Sequence, residues 1–118
     1  MARSAVTVSE MLWFNTAYAV TADAVDLTED HSVDVSDMNH SKVLIRFAGA
    51  TTAMTVTIKA GDFSDSTIGD LEVAVGTTDI KVVVVESSRF LQDDGTILID
   101  TASTGAVTGA TIEAYLLP

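Results

Sequence analysis

The stretch AMTVTIK, residues 53–59, decides how this chain reads. Met54, Val56 and Ile58 fall on one side of an extended backbone, and Thr55, Thr57 and Lys59 on the other. Successive side chains of a strand point to opposite faces, so this alternation belongs to a strand with one buried face and one wet face. The rhythm recurs. Val43, Ile45 and Phe47 oppose Leu44, Arg46 and Ala48; Leu71, Val73 and Val75 oppose Glu72 and Ala74. Ile112, Ala114 and Leu116 oppose Thr111, Glu113 and Tyr115.

Weaker strands are predicted at residues 5–8, 25–28, 32–35 and 96–100. Residues 80–85 are apolar on both faces, which suits a central strand covered on each side. Turn-forming clusters separate these runs at 48–52, 61–70, 76–79, 93–95 and 101–109. The pattern predicts an all-β, antiparallel β-sandwich of about eight strands, jelly-roll-like, with an N-terminal arm. Residues 1–20 read as that arm or a first strand, and residues 21–118 as the sandwich domain.

Composition agrees with a packed fold. The 118 residues are 47 % apolar, and the mean hydropathy is positive, so a hydrophobic core is expected in place of disorder. Seventeen acids against six bases leave a net charge of −11. Such a surface repels phosphate backbones and anionic lipid, so neither nucleic acid nor membrane is expected as a partner. No cysteine is present, which removes disulfides, thiolate chemistry and cysteine-based metal sites. Residues 1–20 lack an unbroken apolar run, because Ser9 and Glu10 interrupt it, and no signal peptide is read there.

Candidate chemistry is sparse. Between residues 4 and 41 there is no lysine or arginine, while Glu10, Asp23, Asp26, Glu29, Asp30, Asp34 and Asp37 supply seven acids. Clustered carboxylates suit calcium, but the spacing matches no helix-loop-helix calcium motif, and a solvated face with Val25, Leu27, Val33 and Val35 turned inward is favoured. His31 and His40 sit in no nucleophile motif and read as turn or surface residues. No phosphate-cradling loop, zinc-protease motif or nucleophile elbow occurs. No catalytic residue, cofactor or metal ligand is therefore expected.

Two places remain. Met11, Leu12, Trp13 and Phe14, with Tyr18 nearby, form an apolar block holding the single tryptophan. They read equally well as a cap on the chain's own core or as a contact with a sister subunit or another protein. Glu86 and Arg89, with Asp94 and Gly95, read as a structural corner: Gly95 supplies the positive φ of a tight hairpin, and Arg89 is expected to pair with Glu86, Asp93 or Asp94.

The run Glu86-Ser87-Ser88-Arg89-Phe90, followed by Asp94-Gly95-Thr96-Ile97 and Ile99-Asp100, resembles a segment of small β-rich capsid-associated proteins of tailed phages. In those proteins such a block precedes the last strands of a jelly-roll-like domain. The resemblance covers about fifteen residues, extends loosely to the strands from Val43 onward, and leaves the N-terminal third outside it. It implies a head decoration (cement) protein, a homotrimer on the capsid exterior bound to the major capsid protein, with no chemistry of its own. A carbohydrate- or receptor-binding module, with Trp13, Tyr18 and Tyr115 as its platform, and a head-completion or tail component are the alternatives. Assembly also fits the edges of a sandwich. Soluble monomers blunt exposed edge strands with lysine and proline, and this chain has only Lys42, Lys59, Lys81 and the single Pro118.

Overall fold

The computed structural model describes residues 3–11, 15–35, 43–62, 67–85 and 87–117. Among the described residues ten strands form two sheets that face each other across one core. They are β1 (Ser4–Ala5), β2 (Val8–Glu10), β3 (Asp23–Ala24), β4 (His31–Asp34), β5 (Val43–Ala48), β6 (Met54–Ile58), β7 (Leu71–Val75), β8 (Ile80–Val85), β9 (Thr96–Ala102) and β10 (Thr111–Leu116). A single helical turn, α1 (Ser87–Phe90), lies between β8 and β9.

The first sheet has the order β1-β4-β9-β6-β7, and the second β2-β10-β5-β8, with β3 also paired to β10. With β1 and β2 set aside, eight strands remain, ordered β4-β9-β6-β7 and β3-β10-β5-β8, and every neighbouring pair is antiparallel. Each consecutive strand crosses to the other sheet, apart from the β6–β7 hairpin. This is the strand order of a jelly roll. The expected sandwich is the observed fold. The two extra pairings, β1 to β4 and β2 to β10, are parallel, so both sheets are mixed where purely antiparallel ones were expected.

The alternation read from the sequence builds the core. Val43, Ile45 and Phe47 from β5, Met54, Val56 and Ile58 from β6, and Ile97 and Ile99 from β9 are all buried. Val33, Val35, Val75, Val85, Ile112, Ala114 and Leu116 are buried with them. Phe90 and Leu91 plug the end of the sandwich where α1 turns the chain back.

Three strand expectations need correction. Residues 25–28 form no strand; Asp26 Oδ1 accepts the backbone N–H groups of Thr28 and Glu29 at 2.9 and 3.0 Å and bends the chain into a turn. The strand lies just before, at β3. Residues 5–8 divide into β1 and β2, because Val6 turns into the core between the sheets. Residues 80–85 do form a strand, β8, but at the edge of its sheet and not at the centre. A run apolar on both faces signals only that both faces want cover, and it leaves open whose atoms provide it.

The arm docks on its own domain as far as Met11. The Arg3 Nη1 atom donates to the carbonyls of His31 and Ile99 at 3.2 and 3.1 Å and lies 2.6 Å from Asp100 Oδ1. The Thr7 N–H donates to Asp23 Oδ2, and the Met11 N–H donates to the Leu116 carbonyl. By passing from β1 to β2 the arm covers the outer edge of β4 in one sheet and part of β10 in the other.

Gly61 marks a close approach. Its N–H donates to the Arg89 carbonyl, Asp62 N–H donates to the Leu91 carbonyl, and a Cβ at Gly61 would overlap the Leu91 backbone. Gly61→Ala is expected to lower unfolding stability by about 1–3 kcal/mol through overpacking. Chemical denaturation monitored by far-ultraviolet circular dichroism measures this, and an unchanged midpoint contradicts the packing described.

Candidate functional site

Sheet pairing sorts the side chains of β5, β8 and β10 onto two faces. Val43, Ile45, Phe47, Val83, Val85, Ile112 and Ala114 point inward; Leu44, Arg46, Ala48, Ile80, Val82, Val84, Thr111, Glu113 and Tyr115 point outward. Register aligns Val84, Leu44 and Tyr115 in one row, and Val82, Arg46 and Glu113 in the next. The β8 members are open to solvent, with Ile80, Val82 and Val84 at 58 %, 53 % and 59 % exposure. A contiguous aliphatic stripe of this kind is a feature of contact surfaces.

The charged groups on this face satisfy each other. Arg46 Nη1 donates to Glu113 Oε2 at 3.1 Å, and the Tyr115 hydroxyl donates to the same oxygen. Burial, then the hydrogen bond to Glu113 and its negative charge, push the Tyr115 hydroxyl up to about 12. The face therefore has few polar groups that a partner must supply. The outer face of the other sheet is more polar: Ser32, Asp34, Thr55, Thr57, Glu72 and Asp100 lie there with Leu98 and Ala74 between them, and Arg3 and Lys59 approach Asp100.

The edge of β8 is open as well. The Gly49 N–H donates to the Asp79 carbonyl at 2.8 Å, just beyond the pair Ala48 and Ile80. Hydrogen-bonded and non-hydrogen-bonded pairs alternate along an antiparallel ladder, so Lys81, Val83 and Val85 bond to β5. Ile80, Val82 and Val84 then direct their backbone N–H and C=O groups away from β5. Among the described residues no strand pairs with that edge.

The residues singled out from the sequence fall as follows. Leu12, Trp13 and Phe14 lie outside the described residues, as do Glu86, Asp37 and His40. Met11 is half-buried beside Leu116, and Tyr18 is half-buried in the segment between β2 and β3. Phe47 and Phe90 are core residues, as expected. Asp94 and Gly95 form the expected turn. Gly95 has φ 87°, its N–H donates to the Gln92 carbonyl, and Asp94 Oδ1 accepts from both the backbone and the hydroxyl of Thr96.

Arg89 does not pair with Asp93 or Asp94. It lies over the Phe90 ring, 4.7 Å from its centroid, and donates to the carbonyls of Gly69 and Asp70 at 3.1 and 3.3 Å. The corner thus clamps the loop before β7 to α1. Lys59 and Asp70 brace the same loop with an ion pair at 2.9 Å.

His31 departs furthest from its expected place. It is fully buried in β4, where a turn or surface position was expected. The Asp26 N–H donates to His31 Nε2 at 2.8 Å, so the neutral ring carries its proton on Nδ1, which makes no hydrogen bond of normal geometry. Burial lowers the His31 pKa below its usual 6.5, against the opposing pull of the Ser4 backbone and the charges of Asp26, Asp30 and Asp23. The nearby acids serve the fold. Asp30 Oδ1 accepts from the Thr101 N–H at 2.8 Å and from its hydroxyl at 3.2 Å, Asp23 holds Thr7, and Asp26 caps its turn. Among the described residues no three acids or histidines gather as a metal-binding group. Val33 and Val35 are buried and Val25 and Leu27 partly so, while Glu29 and Asp34 are exposed, as expected for this segment; Asp23, Asp26 and Asp30 in addition accept backbone N–H groups.

An open groove of about 700 Å³ runs beside β3, lined by Ser4, Asp23, Val25, Leu27, Val107 and Ala110 among others. It brings no nucleophile together with a base. No described helix is long and apolar enough to cross a membrane. Comparison with protein families, with characterised proteins and with solved structures finds no match to this chain.

A folded-state pKa below 6.5 at His31 means that the unfolded chain binds the extra proton first. Stability is fully present above pH 6.5 and falls as the pH drops towards the lowered value. Asp26 and Asp70, whose pKa values lie below 3.8, add their losses only in the more acidic range. Melting scans from pH 7.5 downward should show an early loss of stability that disappears in His31→Leu, measured relative to that variant's own value at pH 7.5.

Proposed function

We propose that this chain is a non-enzymatic structural protein, a decoration protein of a tailed-phage virion that sits on the capsid exterior and binds the major capsid protein. The observation that supports this best is the contrast between the two outer faces of the sandwich. One carries Ser32, Asp34, Thr55, Thr57 and Glu72; the other exposes Ile80, Val82 and Val84 beside an internally neutralised Arg46–Glu113 pair. A module with one wet face and one aliphatic face is suited to lying on a larger assembly, with its acids towards solvent.

The jelly-roll strand order agrees with the fold that the resemblance implies. The function is mechanical in this reading. Each subunit adds contact area between neighbouring shell proteins, and specific association needs roughly 1,200–2,000 Å² of buried surface. Self-association belongs to the same reading, with a homotrimer the order implied by the resemblance. A sugar-binding platform loses support, because the Tyr115 hydroxyl is already engaged by Glu113.

The test is direct. Phage shells lacking the protein are mixed with the purified chain, imaged by electron microscopy and heated. Density outside the shell, and rupture at a higher temperature than for bare shells, are the expected results. Val82→Lys should weaken binding at least ~10-fold, since it sets a charge in the middle of the aliphatic stripe. Absence of binding at concentrations well above about 1 μM overturns the assignment.

A further inference from the structure

We infer that β8 is a self-pairing edge: two copies of this chain join β8 to β8 in antiparallel register about Val82, continuing one sheet into the next. The inference rests on the assembly reading above and names the occupant of the open edge.

Parity supplies the first argument. Ile80, Val82 and Val84 direct their free N–H and C=O groups outward, and these same residues carry the exposed aliphatic side chains. An incoming strand must therefore bond to positions 80, 82 and 84. A second β8 offers the same three positions with the same spacing. Centring the pair on Val82 sets Ile80 opposite Val84 of the second copy and Val82 opposite itself, so every outward group meets a partner. One aliphatic row runs across the junction, and cross-strand pairs of β-branched residues are favourable in such rows.

Charge supplies the second. The chain carries −11, so most of its surface repels another copy. Residues 80–85 contain no acid, and their single charge is Lys81. Register about Val82 places Lys81 opposite Val83 of the other copy, so the two lysines do not face each other. At the opposite margin β1 and β2 cover β4 and part of β10, and the other edge free among the described residues, β7, carries the exposed acid Glu72 where β8 carries none. A two-fold contact also closes on itself, whatever the angle between subunits. This departs from the homotrimer, in which β8 would have to meet a different edge.

Light scattering coupled to size exclusion, and amide hydrogen exchange of the intact chain, test the inference together. The expected result is a concentration-dependent dimer in which the amides of Ile80, Val82 and Val84 exchange slowly and become fast on dilution. Val82→Lys should raise the dissociation constant at least ~10-fold. Val82→Pro removes an outward N–H while leaving the bonds to β5, and should likewise give a monomer. Circular dichroism checks that each variant is folded, and the exchange measurement on the unaltered chain stands if either is not. A monomer at all concentrations with fast exchange at those three amides overturns the pairing. So does a trimer, or a dimer indifferent to both variants. The shell-binding assay separates the two levels. If the unaltered chain stays monomeric yet binds shells, only the pairing falls; if the unaltered chain neither pairs nor binds shells, the assembly reading falls with it.

Discussion

Every strand at the margin of a sheet leaves a row of backbone donors and acceptors without partners, and the architecture of this protein follows from how each margin is treated. On one side the arm supplies β1 and β2, which bond in parallel to β4 and β10, while Val6 fills the gap between the sheets. Arg3 secures that side by gripping two carbonyls and the Asp100 carboxylate. On the other side β7 and β8 end their sheets, and β8 adds an aliphatic outer face to its free backbone. The asymmetry leaves the edge of β8 with no strand beside it among the described residues.

Electrostatics divides the molecule along the same line. Asp23, Asp26, Asp30 and Asp70 each accept backbone N–H groups or hold a cation, so much of the acidity is built into turns and connections. Bonds of this type keep carboxylates ionised and hydrated at low cost, since backbone donors replace part of their water shell. The face carried by β5, β8 and β10 is treated differently, with its one acid matched by Arg46 and Tyr115. What results is a strongly charged protein with one electrically quiet face.

How much of this was legible in the sequence varied with the kind of signal. β5, β6, β7 and β10 were readable because each has one wet face, and the alternation of Thr, Glu and Arg with aliphatic residues reports it directly. β8 has no polar phase on its outer face, so its period said nothing about edge or centre. Only Lys81, a charge on an otherwise aliphatic strand, hinted at a rim. β3 was displaced by side-chain chemistry: the carboxylate of Asp26 outcompeted the strand that Val25 and Leu27 suggested. His31 was misjudged because the partner that satisfies it is a backbone N–H, and backbone groups leave no trace in composition. Of the candidate contact residues, Ile80, Val82 and Val84 carried their signal openly as a two-faced apolar run, but the natural reading of such a run is burial.

The parallel pairing of Val8 with Ala114 spans nearly the whole described chain, and this sets an order of events during synthesis. β2 has no ladder to join until β10 has left the ribosome, and β4, which can pair with β1 earlier, gains its long antiparallel partner only with β9. Contacts of such long range close slowly, because the intervening chain loses its freedom before any bond rewards the loss. β2 is thus made long before the strand it pairs with and is among the last elements to be placed.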